Sequence, residues 1–215
     1  APRAPARILV PSSLTVQGAE QTLAALSLGA ADTLAKPRTG QFDQEYRARL
    51  LRKIRILGRV ARRVRDKSAT PASPRLRPQG KEPPQVLAIG ASTGGIHALG
   101  QLLSALPPRA ALPILVTQHL PGTFSAAFVR QLRAASGRGT LLARDGLAIL
   151  PGQILVAPGD AHLTVALGAT GSPIVRLDGA PTPSGCRPAL DPMFASCAEI
   201  YGRQALGVVL SGLGR

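Results

Sequence analysis

Apolar positions along this chain follow two different periods, and the change from one to the other divides it. Near the start, RILVP at 7–11 is a short apolar run that predicts a strand, followed by polar Ser12 and Ser13. AEQTLAALSL at 19–28 spaces its apolar residues as one face of a helix and stops at Gly29, a suitable C-cap. A second short strand is predicted at Thr33–Ala35, closed by Lys36-Pro37. Between residues 43 and 66, Tyr46, Leu50, Ile54, Leu57, Ala61 and Val64 recur at every third or fourth position. That is the apolar stripe of an amphipathic helix with an arginine-rich back. Periodicity then disappears: residues 67–84, KSATPASPRLRPQGKEPP, carry five prolines and read as a linker.

From residue 85 onward strands and helices alternate. Val86–Ile89 and Ile114–Gln118 are predicted strands, each followed by a predicted helix, Ile96–Leu106 and Phe124–Ser136. Leu141–Ala143, Ile154–Ala157, His162–Ala166 and Ile174–Leu177 are expected as short strands in hairpins. A helix over Pro192–Tyr201 and an apolar strand over Ala205–Leu210 complete the series. The pattern predicts an α/β fold: a doubly wound, mostly parallel sheet with antiparallel hairpins. In such sheets the working site lies at the carboxyl ends of the strands.

Composition narrows the function classes. Apolar residues at 45% and charged residues at 17% fit a globular chain rather than a disordered one. No apolar run reaches the roughly 20 residues of a membrane span, and no signal peptide is visible, so no membrane insertion is expected. Cys186 and Cys197 are the only cysteines, which rules out a disulfide framework and makes a cytoplasmic setting the default. The net charge of +15 suggests nucleic acid until it is mapped. Thirteen of the 26 lysines and arginines fall between Arg47 and Lys81 against one acid, Asp66, so this stretch holds +12 of the total. A solvated helix face running into a linker accounts for that, and 3% aromatic residues with no Trp argue against a base-stacking platform. A scaffold role for the basic helix stays open, with a steep salt dependence as its mark.

The candidate chemistry begins with VLAIGASTGGIHAL, residues 86–99. Gly90-Ala91-Ser92-Thr93-Gly94 matches G-x-S-x-G directly after a strand and before a helix, the setting of a nucleophile elbow. The rival is a phosphate loop in which Gly90, Gly94 and Gly95 bring backbone amides to a nucleotide. That reading expects an acid at the end of the next strand, but no Asp or Glu occurs from Val86 to Arg144. The next strand ends in Gln118-His119 instead. A serine needs a base within reach, and a neutral imidazole is the usual one, so His119 is the candidate. His97, on the helix after the elbow, and His162, after a Pro-Gly-Asp turn, are weaker ones. A carboxylate to orient the imidazole is expected from the strand in ALGVVLSGLGR, which delivers none before Arg215. Asp145, Asp160 and Asp178 belong to turns, and Asp191 is expected to cap a helix or line the site.

Five stretches, IGASTGG, VTQHLP, ILVAPGDAHL, CRPALDPMF and GVVLSGLG, resemble in order and spacing the chemotaxis protein-glutamate methylesterase (CheB) family across residues 85–215. The resemblance implies hydrolysis of glutamate methyl esters on methylated chemoreceptors and deamidation of receptor glutamines, with no cofactor. Ser92 matches the family nucleophile and His119 its base, with Thr93, Gly94 and Gly95 at the elbow supplying oxyanion amides. The third member, an Asp, is expected immediately after Arg215. Cys186 stands where His is common in the family, and Leu213, a possible lining residue, where Met is usual. Residues 1–66 resemble the second half of a response-regulator receiver domain, with 67–84 as linker and 85–215 as the catalytic domain. There Ser12 or Ser13 matches the switch hydroxyl and Lys36 the phosphate-contacting lysine. An intact receiver would bind Mg and take its phosphoryl group from a chemotaxis histidine kinase; its acidic site is expected on earlier strands. Without those strands, residues 7–40 are expected to be poorly folded, and the chain reads as a fragment.

Overall fold

In a computed structural model of the protein, residues 7–13, 16–37, 42–65, 82–92, 94–107 and 110–210 are described. Thr93, residues 66–81 of the linker region, and Leu213 therefore lie outside the described residues.

Five parallel strands form the central sheet. They are β3 (Val86–Ala91), β4 (Ile114–Gln118), β5 (Thr140–Leu142), β6 (Ile154–Val156) and β9 (Ala205–Val209), in the spatial order β5-β6-β4-β3-β9. Every residue of β3, β4 and β6 is buried, as expected of central parallel strands covered on both faces. Alternate side chains therefore feed two cores. Leu87 and Ile89 of β3, Ile114 and Val116 of β4, and Ile154 and Val156 of β6 face α3 (Gly95–Ala105) and α4 (Ser125–Ser136), which contribute Leu99, Leu103, Phe128 and Leu132. On the other face Val86, Ala88, Leu115 and Leu155 join Met193 and Cys197 of α5 (Asp191–Tyr201). An antiparallel hairpin, β7 (His162–Leu167) with β8 (Pro173–Asp178), completes that layer.

The sheet is parallel and doubly wound, as the alternation predicts, and the β7–β8 hairpin forms where it is expected. Two strands differ from expectation. β5 and β6 are not a hairpin but parallel neighbours inside the main sheet, with Thr140 opposite Ile154. The physical reason is visible in β6: Ile154-Leu155-Val156 is buried on both faces, which a one-sided hairpin could not provide.

The N-terminal segments are β1 (Leu9–Ser12), α1 (Val16–Ser27), β2 (Asp32–Ala35) and the long α2 (Gln44–Arg65). β1 and β2 pair in parallel. The expectation that this part lacks a cover for its apolar faces is not met for α1. Ala19, Leu23 and Leu26 are buried in the same cluster as the inner faces of α3 and α4. Around this seam Glu20 pairs with Arg130, and the His97 Nδ1 donates to the Ser27 carbonyl over 2.6 Å. Among the described residues no helix is long and apolar enough to cross a membrane.

Because Leu23 is 2% exposed within that shared core, Leu23→Ala is expected to cost about 2–5 kcal/mol. Denaturant unfolding should show the loss in the transition of the catalytic sheet itself, not in a separate early transition of residues 7–35.

Candidate active site

The elbow is built by the pairing of β3 with its neighbours. Ala91 lies opposite Gln118, and the His119 amide continues the ladder to the Ala91 carbonyl at 3.4 Å. One residue further on, Ser92 and His119 leave the sheet side by side at the carboxyl ends of adjacent strands. On the other flank, Gly90 lies opposite Val209 of β9, and the Leu210 amide donates to the Gly90 carbonyl at 3.0 Å. The strand expected to deliver a carboxylate is thus directly beside the serine strand, on the side away from His119. Residues 211–215 lie outside the described residues.

The turn after Ser92 is tight. Gly94 has φ +75°, a left-handed conformation that a side chain would strain, and the Gly95 amide closes the turn on the Ser92 carbonyl at 2.8 Å. That carbonyl receives a second bond, 3.0 Å, from the Gln118 side-chain Nε2. Gln118 is thus a residue in contact with the elbow that the sequence did not single out. It is 5% exposed, and its Oε1 has no hydrogen-bond partner among the described residues. A glutamine at the end of a buried strand, next to the candidate base, is the signal that could have found it, because a buried amide needs a partner.

Several influences act on the His119 imidazole. Loss of hydration, the largest, holds its pKa below the ordinary 6.5, and the Lys53 cation pulls the same way. The Pro188 carbonyl and the Asp32 carboxylate pull it up, while Arg52 pulls it down. Lys53 and Asp32 are themselves paired. The result is an imidazole pKa held below its ordinary value, although the residue is exposed.

The remaining candidates separate. His97 is exposed on α3 and serves the α1 contact. It borders a groove of about 480 Å³ with Ser27, Gly100, Gln101 and Gln131, which includes neither Ser92 nor His119. His162 is 1% exposed and both its ring nitrogens are bonded within the fold. Asp145 is held by the Leu177 amide and by Arg176, which keep its pKa low, and Asp178 accepts from the Ala180 amide. Asp191 is exposed in the first turn of α5, where it complements the helix dipole; the residue at the N-cap is Leu190, without a side-chain cap bond. Ser12, Ser13 and Lys36 gather at the carboxyl ends of β1 and β2, where the Lys36 amide donates to the Ser12 carbonyl at 2.7 Å. Ser12 is buried against Thr22, whereas Lys36 is exposed. Among the described residues no three His, Cys, Asp or Glu side chains converge as a metal cage.

A serine on a strand-to-helix elbow beside a neutral imidazole is the arrangement of a hydrolase nucleophile and base. Residues 87–215 match the family model described as CheB methylesterase. The chain belongs to the CheB methylesterase family. It is 40% identical over 214 residues to protein-glutamate methylesterase/protein-glutamine glutaminase 2 of Caulobacter vibrioides, covering 97% of this chain and 61% of that protein. A Pseudomonas aeruginosa protein of the same description is 40% identical over 219 residues, covering 98% of this chain and 60% of its own length. Among solved structures, the Thermotoga maritima CheB methylesterase catalytic domain superposes with a TM-score of 0.58 at 33% identity, covering 61% of this chain and 69% of that one. The chain thus spans about three fifths of the length of the curated relatives it matches.

Gln118→Met keeps the length of the side chain and removes its amide. Because the Ser92 carbonyl retains the Gly95 bond and a partnerless buried oxygen disappears, the stability change should stay within about 1 kcal/mol. Labelling of Ser92 by a fluorophosphonate should slow all the same; an unchanged rate would show that Gln118 does not hold the elbow.

Proposed function

We propose that the protein containing this chain is a serine hydrolase that removes methyl groups from glutamate esters, and amide groups from particular glutamines, on chemoreceptors. The observation that carries this reading is the placement of Ser92 and His119 on adjacent parallel strands, one residue beyond the paired Ala91 and Gln118. Family membership and the names of the relatives support the ester and amide chemistry.

In the proposed mechanism neutral His119 accepts the Ser92 proton as Oγ attacks the ester carbonyl. Amides at the elbow, at Thr93 and Gly94, stabilise the oxyanion, a contribution of roughly 3–4 kcal/mol per donor in comparable hydrolases; the Gly95 amide, expected with them, is instead taken up by the Ser92 carbonyl. Methanol departs with a proton returned by His119, and water activated by the same imidazole releases the carboxylate. An Asp delivered after β9 orients the imidazole; the position of β9 beside β3 supports that route. Receiver phosphorylation by a histidine kinase is proposed as the control. The docking of α1 on α3 and α4 and the bearing of Lys53 on His119 support a link between the two parts.

Ser92→Ala in the full-length protein is expected to lower methanol release from methylated receptor by about a millionfold; retention of activity would end this reading. The pH profile tests the base. A depressed imidazole pKa leaves the neutral, active form populated below pH 6.5, so the acidic limb of the rate should lie under that value. Lys53→Met removes a cation that pulls the pKa down and leaves the Asp32 carboxylate, so the limb should move to higher pH. A limb that does not move would detach Lys53 from the site.

A further inference from the structure

His162 is buried on the far side of the sheet from α3, and the hydrolytic mechanism does not use it. It opens β7, opposite Asp178, the last residue of β8. The chain then runs through a mostly exposed loop, 179–190, to α5. Both ends of that loop come back to the one imidazole. The Ala189 amide donates to Nδ1 at 2.8 Å, so Nδ1 carries no proton, and Nε2 donates to the Ala180 carbonyl at 2.9 Å. The ring is thereby fixed as one tautomer with both nitrogens satisfied.

The loop reaches the elbow at two places directly beside Ala189. Leu190 lies on the backbone of Gly90, so close that a Cβ there would stand 2.5 Å from its Cδ1. Pro188, buried, stands close enough to His119 for its carbonyl to raise the imidazole pKa. Within the loop, the Gly185 amide bonds the Thr182 carbonyl at 2.9 Å and the Cys186 amide bonds the Ser184 hydroxyl at 3.3 Å. These bonds shape its tip without attaching it to the sheet.

We propose that His162 is a positioning residue for the hydrolytic site: it clasps Ala180 and Ala189, and so holds Leu190 on the elbow strand. The inference rests on the reading of Ser92 and His119 as nucleophile and base. Leu190 packed on Gly90 bears on the strand two residues before Ser92, so a loop held at Ala189 keeps the elbow strand in place.

The variants separate a hydrogen-bonding clasp from simple space filling. In the full-length protein His162→Leu fills the volume with no polar atoms, whereas His162→Gln keeps one acceptor and one donor. The expected result is that His162→Leu slows fluorophosphonate labelling of Ser92 on the order of 10–100-fold and that His162→Gln recovers most of the rate. Equal rates for the two variants, or wild-type rates for both, would overturn the proposal. If wild-type protein does not label at Ser92, the nucleophile reading fails, and the clasp is then judged on the histidine NMR signals. The His119 signal is assigned in the full-length protein by its loss in His119→Gln. Losing the clasp should let the neighbouring Pro188 carbonyl, which raises the His119 pKa, move away and so shift the His119 titration to lower pH; an unmoved titration overturns the proposal. Should His162→Leu not fold, a hydrogen-bond scalar coupling between the Ala189 amide and His162 Nδ1 is required of unaltered protein, and its absence overturns the clasp.

Discussion

Strands β3 and β4 run parallel with Ala91 opposite Gln118, and this one register sets Ser92 and His119 next to each other. Side chains alternate faces along a strand, so a slip of one residue would carry Leu87 and Ile89 out of the core with α3 and α4 and into the opposite one. Each fully buried side chain of this kind stabilises by about 1.5–3 kcal/mol. The pairing that sets Ser92 beside His119 is therefore held by hydrophobic side chains that touch neither residue's chemistry in the proposed reaction. The second core, with Met193 and Cys197 of α5, locks the same strands from the other side.

Polar contacts then refine what the cores have placed. The Ser92 carbonyl is bonded by both the Gly95 amide and the Gln118 side chain, and this pins the peptide plane from which the elbow amides follow. Gly94 makes the turn possible through its positive φ. Pro188 and Leu190 approach from the α5 side, brought there by a loop whose two ends meet on His162. The candidate site is assembled from three directions: the sheet fixes positions, the elbow fixes the serine, and the loop packs on the elbow strand.

The N-terminal segments are part of this arrangement rather than an appendage. α1 shares a core with α3 and α4, the helices that follow the serine and histidine strands. Lys53 of α2 and Asp32 of β2 act on His119 with opposite signs. A movement of α1, β2 or α2 relative to the sheet would thus change both the packing behind the elbow and the electrostatic setting of His119. Such coupling through packed elements that share a core is the physical form that regulation of this site would take.

Much of this was legible in the sequence because local rules decided it. The helical spacing of Leu23 and Leu26, the apolar run at β3 and the glycines around Ser92 each report a local conformation. The end of β4 at Gln118 placed His119 at the correct edge of the sheet. What the sequence left undecided depends on partners distant in the chain. Three apolar residues at β6 fit a hairpin or a buried parallel strand equally well; only neighbours on both sides made β6 parallel. Gln118 and His162 carry no local signal of what they bond, because Ser92, Ala180 and Ala189 reach them only once the sheet and its flanking layers are closed. Conformation along the chain was written in nearest neighbours and periodicity, whereas the hydrogen bonds that align the site are satisfied only in the folded molecule, where burial obliges each polar atom to find its partner.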